Sequence, residues 1–170
     1  GHGRPITKTL ASGTAVAGVS TMAYLTGTND LVTSSTVLGE TATVAYDFRK
    51  RRVATSRTPK SGTTLTEAVA YDSAQRVAST QDAYGRKTFP VYDVNDRVIR
   101  TVRETMPGAI AVGTNLTTLA RDLSANAAYL ITDTIFDAEG QSLASIDARG
   151  VRSDLLYDAQ GRMTRQTVAS

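Results

Sequence analysis

Polar and apolar residues alternate with a period of two over several short stretches of the chain. Residues 151–158 read VRSDLLYD, and Val98, Arg100 and Val102 belong to a second run of this kind. A period of two places successive side chains on opposite faces of an extended chain. The runs end in segments such as Asp158-Ala159-Gln160-Gly161, which combine a turn-capping Asp with a Gly that accepts positive φ. The pattern predicts strands joined by tight turns into an antiparallel meander.

An aromatic residue followed by Asp recurs along the chain. The aromatic residues are 25, 21, 44 and 21 positions apart. The pairs are Tyr46-Asp47, Tyr71-Asp72, Tyr92-Asp93, Phe136-Asp137 and Tyr157-Asp158. We interpret the gap of 44 as two periods with one expanded copy, and Tyr24 as an upstream member without its Asp. A repeat of this length is close to one β-hairpin with its connection.

The flanks of the pairs repeat as well. Four residues after the successive Asp residues stand Arg51, Arg76, Arg97, Gln141 and Arg162. Eight residues before three of them stand Gly39, Gly85 and Gly150, and Gly161 precedes Arg162. One unit therefore consists of an Asp-x-x-Gly turn, a strand ending in the aromatic-Asp pair, a second turn, an Arg and a second strand.

These residues resemble the YD repeat, also called the RHS repeat, of bacterial secreted and surface proteins and of teneurins. Tyr157-Asp158 with Gly161-Arg162 matches the core signature, and Asp147-Ala148-Arg149-Gly150 matches the linking turn. The resemblance implies a β-strip that spirals into a hollow shell, as in the shells of bacterial RHS and Tc toxins. It implies architecture and context but no chemistry. Gly3-Arg4 reads as a half-repeat, so we expect a piece of a longer array, although Gly1-His2 could instead be a tag remnant.

We expect an all-β fold in which residues 1–170 form one array segment. Its roughly seven units comprise a partial unit at 1–23 and units that begin near 24, 46, 71, 92, 136 and 157. Residues 104–130 form a long irregular insertion, in which Leu116, Leu119, Leu123 and Ala127 have the spacing of a helical turn. Residues 11–21 are rich in Gly, Ser, Thr and Ala and show no clear alternation.

Composition supports this interpretation. Thr is the most abundant residue, with 26 copies, and β-branched side chains favour strands. The absence of Cys excludes disulfides and thiolate metal sites. The net charge of +3 is small for 170 residues, and only Arg49-Lys50-Arg51-Arg52 concentrates cations. We interpret that cluster as a solvated turn, with polyanion binding as the weaker alternative.

The recurrent residues are candidates for structural rather than chemical roles. The Asp residues could coordinate Ca²⁺, but an Asp that opens each turn favours capping of backbone N–H groups. The recurrent rings favour packing between neighbouring repeats over stacking on sugars. His2 is the sole histidine, and no catalytic motif occurs. We predict no catalytic residue, no cofactor and no metal site.

The expected function is a non-catalytic structural segment of an extracellular or cell-surface β-shell or fibre, of bacterial origin. Open sheet edges predict further repeats, of the same or of identical chains, as partners. An enclosed cargo is possible, nucleic acid is disfavoured, and no segment predicts membrane insertion. The alternative is an adhesin-type module for glycans or a partner protein, which a row of exposed Tyr24, Tyr84 or Tyr129 would favour.

Overall fold

A computed structural model describes residues 7–10, 18–24, 31–35 and 39–169. The expected half-repeat with Gly3-Arg4, His2, most of the Gly/Ser-rich stretch and the first linking residues 36–38 lie outside the described residues. Gly39 lies just inside them.

All regular structure in the described ranges is β-strand, so the expected all-β fold is confirmed. The strands are β1 (Thr7–Leu10), β2 (Gly18–Tyr24), β3 (Leu31–Ser35), β4 (Thr41–Tyr46), β5 (Arg52–Thr58), β6 (Leu65–Tyr71), β7 (Val77–Gln81), β8 (Lys87–Tyr92), β9 (Val98–Glu104), β10 (Tyr129–Phe136), β11 (Ser142–Ile146), β12 (Arg152–Tyr157) and β13 (Met163–Val168).

The chain divides into two compact units, one of residues 1–70 with 81–84 and one of 71–80 with 85–170. In the first unit, β1 to β6 lie side by side in chain order, and the pairs from β1–β2 to β5–β6 are antiparallel. In the second unit, β8 to β13 form the same kind of antiparallel meander. Both units are therefore strips in which each strand pairs with its neighbours in the chain.

The aromatic-Asp hairpins share a register irregularity next to the ring. The register shifts between Ala45 and Tyr46, and equivalent shifts precede Tyr92, Phe136 and Tyr157. Tyr24, the upstream member without its Asp, shows the same shift after Ala23. A bulge turns the strand locally and adds twist, so these hairpins share a local bend beside the aromatic residue.

One face of the first unit is lined with hydroxyl groups. Thr21 pairs with Ser35 across β2 and β3 at 2.7 Å, and Ser56 pairs with Thr66 across β5 and β6 at 2.8 Å. Opposed hydroxyl-bearing residues stabilise a sheet by hydrogen bonding across the strands. The abundant Thr residues therefore stabilise the sheet in two ways, by hydroxyl pairs across strands and by their preference for extended backbone.

The best-buried part of the described structure lies in the second unit. Val102 and Ile131 face each other across β9 and β10, and Ala144 lies on β11; each is at most 1% exposed. Residues 105–128 are bonded to this part of the sheet: Arg121 Nη1 donates to the Ile131 carbonyl, and Tyr129 Oη donates to the Ala120 carbonyl at 3.0 Å. The insertion is therefore anchored beside the core.

The insertion contains no helix within the described residues, so the helical spacing of its leucines was not a reliable signal. Arg100 Nη1 instead donates hydrogen bonds to the carbonyl oxygens of Leu116, Thr117 and Leu119 at 3.2, 2.9 and 3.0 Å. Tertiary contacts of this kind override the helical spacing of the sequence.

Positive φ recurs at the third residue after each Asp. Gly140 and Gly161 occupy this position with φ of 93° and 75°, whereas Lys50, Gln75 and Asp96 hold φ of 63°, 70° and 61°. Left-handed backbone disfavours residues with a Cβ atom. Three turns therefore retain a side chain at a conformational cost.

We expect Gln75→Gly to raise the free energy of unfolding by about 0.5–1 kcal/mol, because Gly removes the Cβ clash but loses more chain entropy. Gly161→Ala should lower it by about 1 kcal/mol, since the new Cβ would also come within 3.3 Å of Gln141 Nε2. Urea denaturation of both variants measures the two changes. Equal midpoints for both variants would contradict the argument.

Candidate functional site

The Asp93 carboxylate organises the turn between β8 and β9. The Asp93 N–H donates to the Arg97 carbonyl at 2.9 Å, and Oδ1 accepts the N–H groups of Asn95 and Arg97 at 2.8 and 3.0 Å. Oδ2 accepts from Arg97 Nε at 2.7 Å. One carboxylate thus closes the turn with one oxygen and orients the guanidinium with the other.

Three further turns repeat this arrangement. The Arg N–H donates to Asp Oδ1 at 2.9 Å in each of them, and Nε donates to Oδ2 at 2.7–2.9 Å. The pairs are Asp47–Arg51, Asp72–Arg76 and Asp158–Arg162. The spacing of four residues in the sequence therefore corresponds to one ion pair within each turn.

Two turns keep the backbone part without the Arg at the fourth position. Gln141 N–H donates to Asp137 Oδ1 at 2.7 Å, and Val151 N–H donates to Asp147 Oδ1 at 2.9 Å. In the linking turn, Arg149 pairs with Asp147 at 3.1 Å, but its side chain is 84% exposed. The capping of backbone N–H groups is thus separable from the ion pair.

These hydrogen bonds favour the charged form of the carboxylates. The pKa of Asp93 lies below its ordinary value, first because the Arg97 backbone N–H donates to it, and further because of the Arg97 side chain and the Asn95 N–H, against a desolvation effect that raises it. The pKa of Asp158 is lowered by the backbone N–H of Arg162 in the same way. The turns therefore bind a carboxylate better than a carboxylic acid.

Two of these Arg residues, Arg76 and Arg97, also reach the next repeat. The Arg76 guanidinium carbon lies 4.5 Å from the centroid of the Tyr92 ring, and Nη1 donates to Asp96 Oδ1 at 2.6 Å. Arg97 lies 4.7 Å from the Phe136 ring centroid and donates to the Asp137 carbonyl at 3.1 Å. A guanidinium over an aromatic face is attracted by the ring quadrupole.

The hydroxyl groups of Tyr92 and Tyr157 also connect neighbouring repeats, in the opposite direction. Tyr92 Oη donates to the Val77 carbonyl at 3.1 Å, and Tyr157 Oη donates to the Ser142 carbonyl at 3.0 Å. In both cases the acceptor lies five residues after the Asp of the preceding repeat. Tyr92 therefore contacts both the guanidinium and the backbone of the preceding repeat, and Tyr157 contacts the backbone of its own preceding repeat.

The structure places the remaining signature residues at the expected points of the chain. Tyr46 and Tyr71 are the last residues of β4 and β6. Gly39, Gly85 and Gly150 adopt φ of 81°, 82° and 84° in the linking turns. Gly recurs both in the linking turns and after the aromatic-Asp pairs because both positions require a positive φ, which Gly adopts without strain.

These sites offer little free ligand capacity. Both oxygens of Asp93 are occupied by N–H donors of its own turn. The residues that the structure describes contain no group of three or more His, Cys, Asp or Glu placed to hold a metal ion. No helix in that part of the chain has the length and apolar character to cross a bilayer.

An ion-pair network that the sequence did not predict joins the insertion to β9 and β10. Asp133 on β10 accepts from Arg100 Nε at 2.6 Å and from Arg121 Nη2 at 2.7 Å. Arg121 Nη1 also donates to the carbonyl groups of Ile131 and Asp147. By alternation, Arg100 lies on the same face of β9 as the buried Val102. An Arg on the core face was the one sequence signal that pointed to a buried ion pair.

Glu104 is a second residue that sequence reasoning missed. It is 1% exposed, and its two oxygens accept the N–H groups of Lys87 at 2.7 Å and Ile110 at 3.0 Å. The first donor begins β8 and the second lies in the insertion. The side chain therefore fastens the insertion to the sheet from within the core.

A cavity of about 420 Å³ lies in the second unit where Thr117 of the insertion faces the sheet. Val91, Ile99, Ile135 and Ile146 contribute apolar walls. Its charged residues include Arg100 and Asp133, which bond to each other. The cavity thus has apolar walls and charged groups that are already paired.

No family model matches the sequence, and no curated protein matches it. Solved structures do match the fold: TcdB2-TccC3 superimposes with a TM-score of 0.63 at 18% identity over 91% of the chain. The chain has the fold of a YD-repeat strip. The form of TcdB2-TccC3 without its hypervariable C-terminal region gives a TM-score of 0.61 at 19% identity, again over 91% of the chain.

The Photorhabdus luminescens Tc holotoxin pore matches the YD-repeat strip with a TM-score of 0.59 at 19% identity over 91% of the chain. The chain spans 8% of the length of each of these three structures. The comparison therefore establishes the fold of a strip that forms a small part of much larger polypeptides.

Exchange of the fourth turn residue tests the contact between repeats. We expect Arg97→Gln to lower the melting temperature by roughly 5 °C, since it removes the Asp93 pair and the stack on Phe136. Gln141→Arg should raise it, because the new guanidinium can reach Asp137 and the Tyr157 ring. Thermal unfolding followed by circular dichroism measures both. A melting temperature unchanged by both substitutions would show that the Arg contact between repeats does not contribute to stability.

The lowered pKa values predict acid sensitivity. A carboxylate whose folded pKa is depressed stabilises the fold above its unfolded pKa near 3.9, and this contribution is lost as pH falls through the folded pKa. We expect the double variant Asp93→Asn, Asp158→Asn to be less stable than wild type at pH 6, with the difference shrinking towards pH 2. Denaturation midpoints across this range measure it. Glu139→Gln, at an exposed turn tip, is the matched control and should track wild type.

Glu104→Ala should lower the free energy of unfolding by about 2 kcal/mol, since it removes the acceptor of two part-buried backbone N–H groups. Glu104→Gln keeps one acceptor oxygen and should lose less. Urea titration provides the values, and proteolysis at residues 105–128 provides a second readout, because release of the insertion would expose it. Wild-type stability in Glu104→Ala would contradict this role.

Proposed function

We propose that this chain is a non-catalytic structural segment of an extracellular β-shell or fibre of bacterial origin. The observation that carries the proposal is the contact between repeats, in which an Arg lies over the next ring and that ring's hydroxyl returns to the preceding backbone. The described strand pairs join strands that are consecutive in the chain, as in repeat proteins, where each unit contacts its neighbouring units. We propose the same residue boundaries for the units as the sequence predicts.

The last strand supports a partner made of further repeats. β13 pairs with β12, and all six of its residues are exposed. Within the described residues, its second edge has no paired strand. An unpaired edge is a template for another strand. The first six residues, which precede the other end of the expected array, lie outside the described residues.

An adhesin-type surface for glycans or a partner protein has less support. Tyr84 is 74% exposed, but Tyr24 and Tyr129 are half-buried, and the Tyr129 hydroxyl is bonded to Ala120. Aromatic platforms for sugars need a row of accessible rings. Enclosure of a cargo remains part of the shell proposal and would require the whole array.

The polyanion alternative needed a shared face for the Arg residues at the fourth turn position. Arg51, Arg76, Arg97 and Arg162 each pair with the Asp of their own turn. Such pairing lowers the charge that these residues offer to phosphates. The four arginines therefore support the strip rather than an extended cationic surface.

The outer edge of β13 gives a test of strand addition. The Ala169 N–H donates to the Arg152 carbonyl at 2.8 Å, so alternation directs the N–H of Thr167 towards β12 and that of Gln166 towards the open edge. We expect the purified chain to self-associate at micromolar concentration in sedimentation velocity. Gln166→Pro should reduce this association while the melting temperature changes little.

Thr167→Pro is the matched control, because it removes a bond to β12 and should destabilise the fold itself. A monodisperse wild-type monomer that melts cooperatively would overturn the proposal. So would association that Gln166→Pro leaves unchanged.

A further inference from the structure

The turn between β4 and β5 differs from the other aromatic-Asp turns in its tip. Phe48 follows Asp47 directly and is 88% exposed. Arg49, Lys50 and Arg52 are also exposed, and the Arg49 guanidinium carbon lies 5.3 Å from the Phe48 ring centroid. We call these four residues the basic tip. Exposed large apolar side chains on a soluble surface mark interaction sites when polar groups surround them.

The carboxylate of this turn is paired with an Arg that does not belong to the basic tip. Asp47 caps the turn and is paired with Arg51 at 2.7 Å. The remaining cations, Arg49, Lys50 and Arg52, therefore give the tip a charge of +3, and Arg49 lies beside the Phe48 ring.

The turn between β8 and β9 supplies an internal comparison. Val94 stands at the same position after Asp93 and is 98% exposed, but its neighbours Asn95 and Asp96 carry no positive charge. The repeat architecture thus requires neither an aromatic residue nor cations at this place. The exposed aromatic ring and the cations of the basic tip are therefore not explained by the stability of the fold, and they indicate a binding role.

We propose that the basic tip docks peripherally on an anionic phospholipid surface. Cations attract anionic headgroups, while an aromatic side chain that projects from a turn enters the interface between headgroups and acyl chains. A hairpin tip is convex, and a fluid bilayer can receive a projecting ring without a matching pocket. Single-stranded nucleic acid is bound in grooves with several stacked aromatic residues, and the tip has one ring. This inference does not depend on the proposed role in a shell.

The absence of Trp from the sequence allows a direct experiment. Phe48→Trp introduces one fluorophore at the tip, and Val94→Trp introduces one at the matched control turn. With vesicles of phosphatidylcholine and phosphatidylglycerol, we expect the emission of Phe48→Trp to shift to the blue and to be quenched by brominated acyl chains. Val94→Trp should show neither change, and vesicles of phosphatidylcholine alone should bind weakly.

Vesicle co-sedimentation of the full chain gives the energetics. Phe48→Ser should weaken binding about tenfold, because the ring no longer enters the interface. The double variant Arg49→Ser, Lys50→Ser should weaken it about 30-fold, at about fivefold per cation. Val94→Ser should bind as wild type. All four side chains changed here are exposed, so circular dichroism should report unaltered folds.

Three results would overturn the proposal. They are equal vesicle binding by wild type and Phe48→Ser, an equal loss in Val94→Ser, and binding to a short single-stranded DNA that depends on Phe48 when no vesicle binding occurs. The last result would identify a nucleic acid as the occupant of the tip.

Discussion

The carboxylate of Asp93 and its counterparts connect every level of this structure. One oxygen collects backbone N–H groups that a tight turn would leave without acceptors, and the other fixes the Arg four residues later. A turn closed in this way brings the next strand back antiparallel with a bulge beside the aromatic residue. Local hydrogen bonding by one short side chain thereby determines how a whole hairpin is oriented.

The oriented Arg extends this local effect to the neighbouring repeat. Because Nε is held by the Asp, the guanidinium plane is presented to the next ring, at 4.5 Å for Tyr92 and 4.7 Å for Phe136. These stacks and the hydroxyl bonds of Tyr92 and Tyr157 join neighbouring repeats. Stability then accumulates by addition of like units, without a large apolar core.

The insertion follows a different principle. Apolar burial in the described structure is slight apart from Val102, Ile131 and Ala144, and this site lies under residues 105–128. Charged groups hold the insertion in place: Arg121 and Arg100 on Asp133, and Glu104 on two backbone N–H groups. Buried charges are costly unless they are paired or hydrogen-bonded, and here each charge has such partners.

Much of the fold could be predicted from the sequence, because its determinants are local. The aromatic-Asp pairs, the Arg four residues later and the Gly residues in the linking turns interact within single turns, where spacing along the chain decides which atoms meet. Alternation likewise determines strands and their succession. The stacking of an Arg on the ring of the next repeat needed the register of several strands, although packing between rings and repeats was expected.

The insertion was decided by the tertiary structure. The spacing of Leu116, Leu119, Leu123 and Ala127 suits a helix, yet Arg100, which precedes them by at least 16 residues, takes the carbonyl groups there. Asp133 and Glu104 acquire their roles from partners on other strands and in the insertion. Such contacts depend on which strands lie beneath the insertion, and periodicity along one chain carries no information about that.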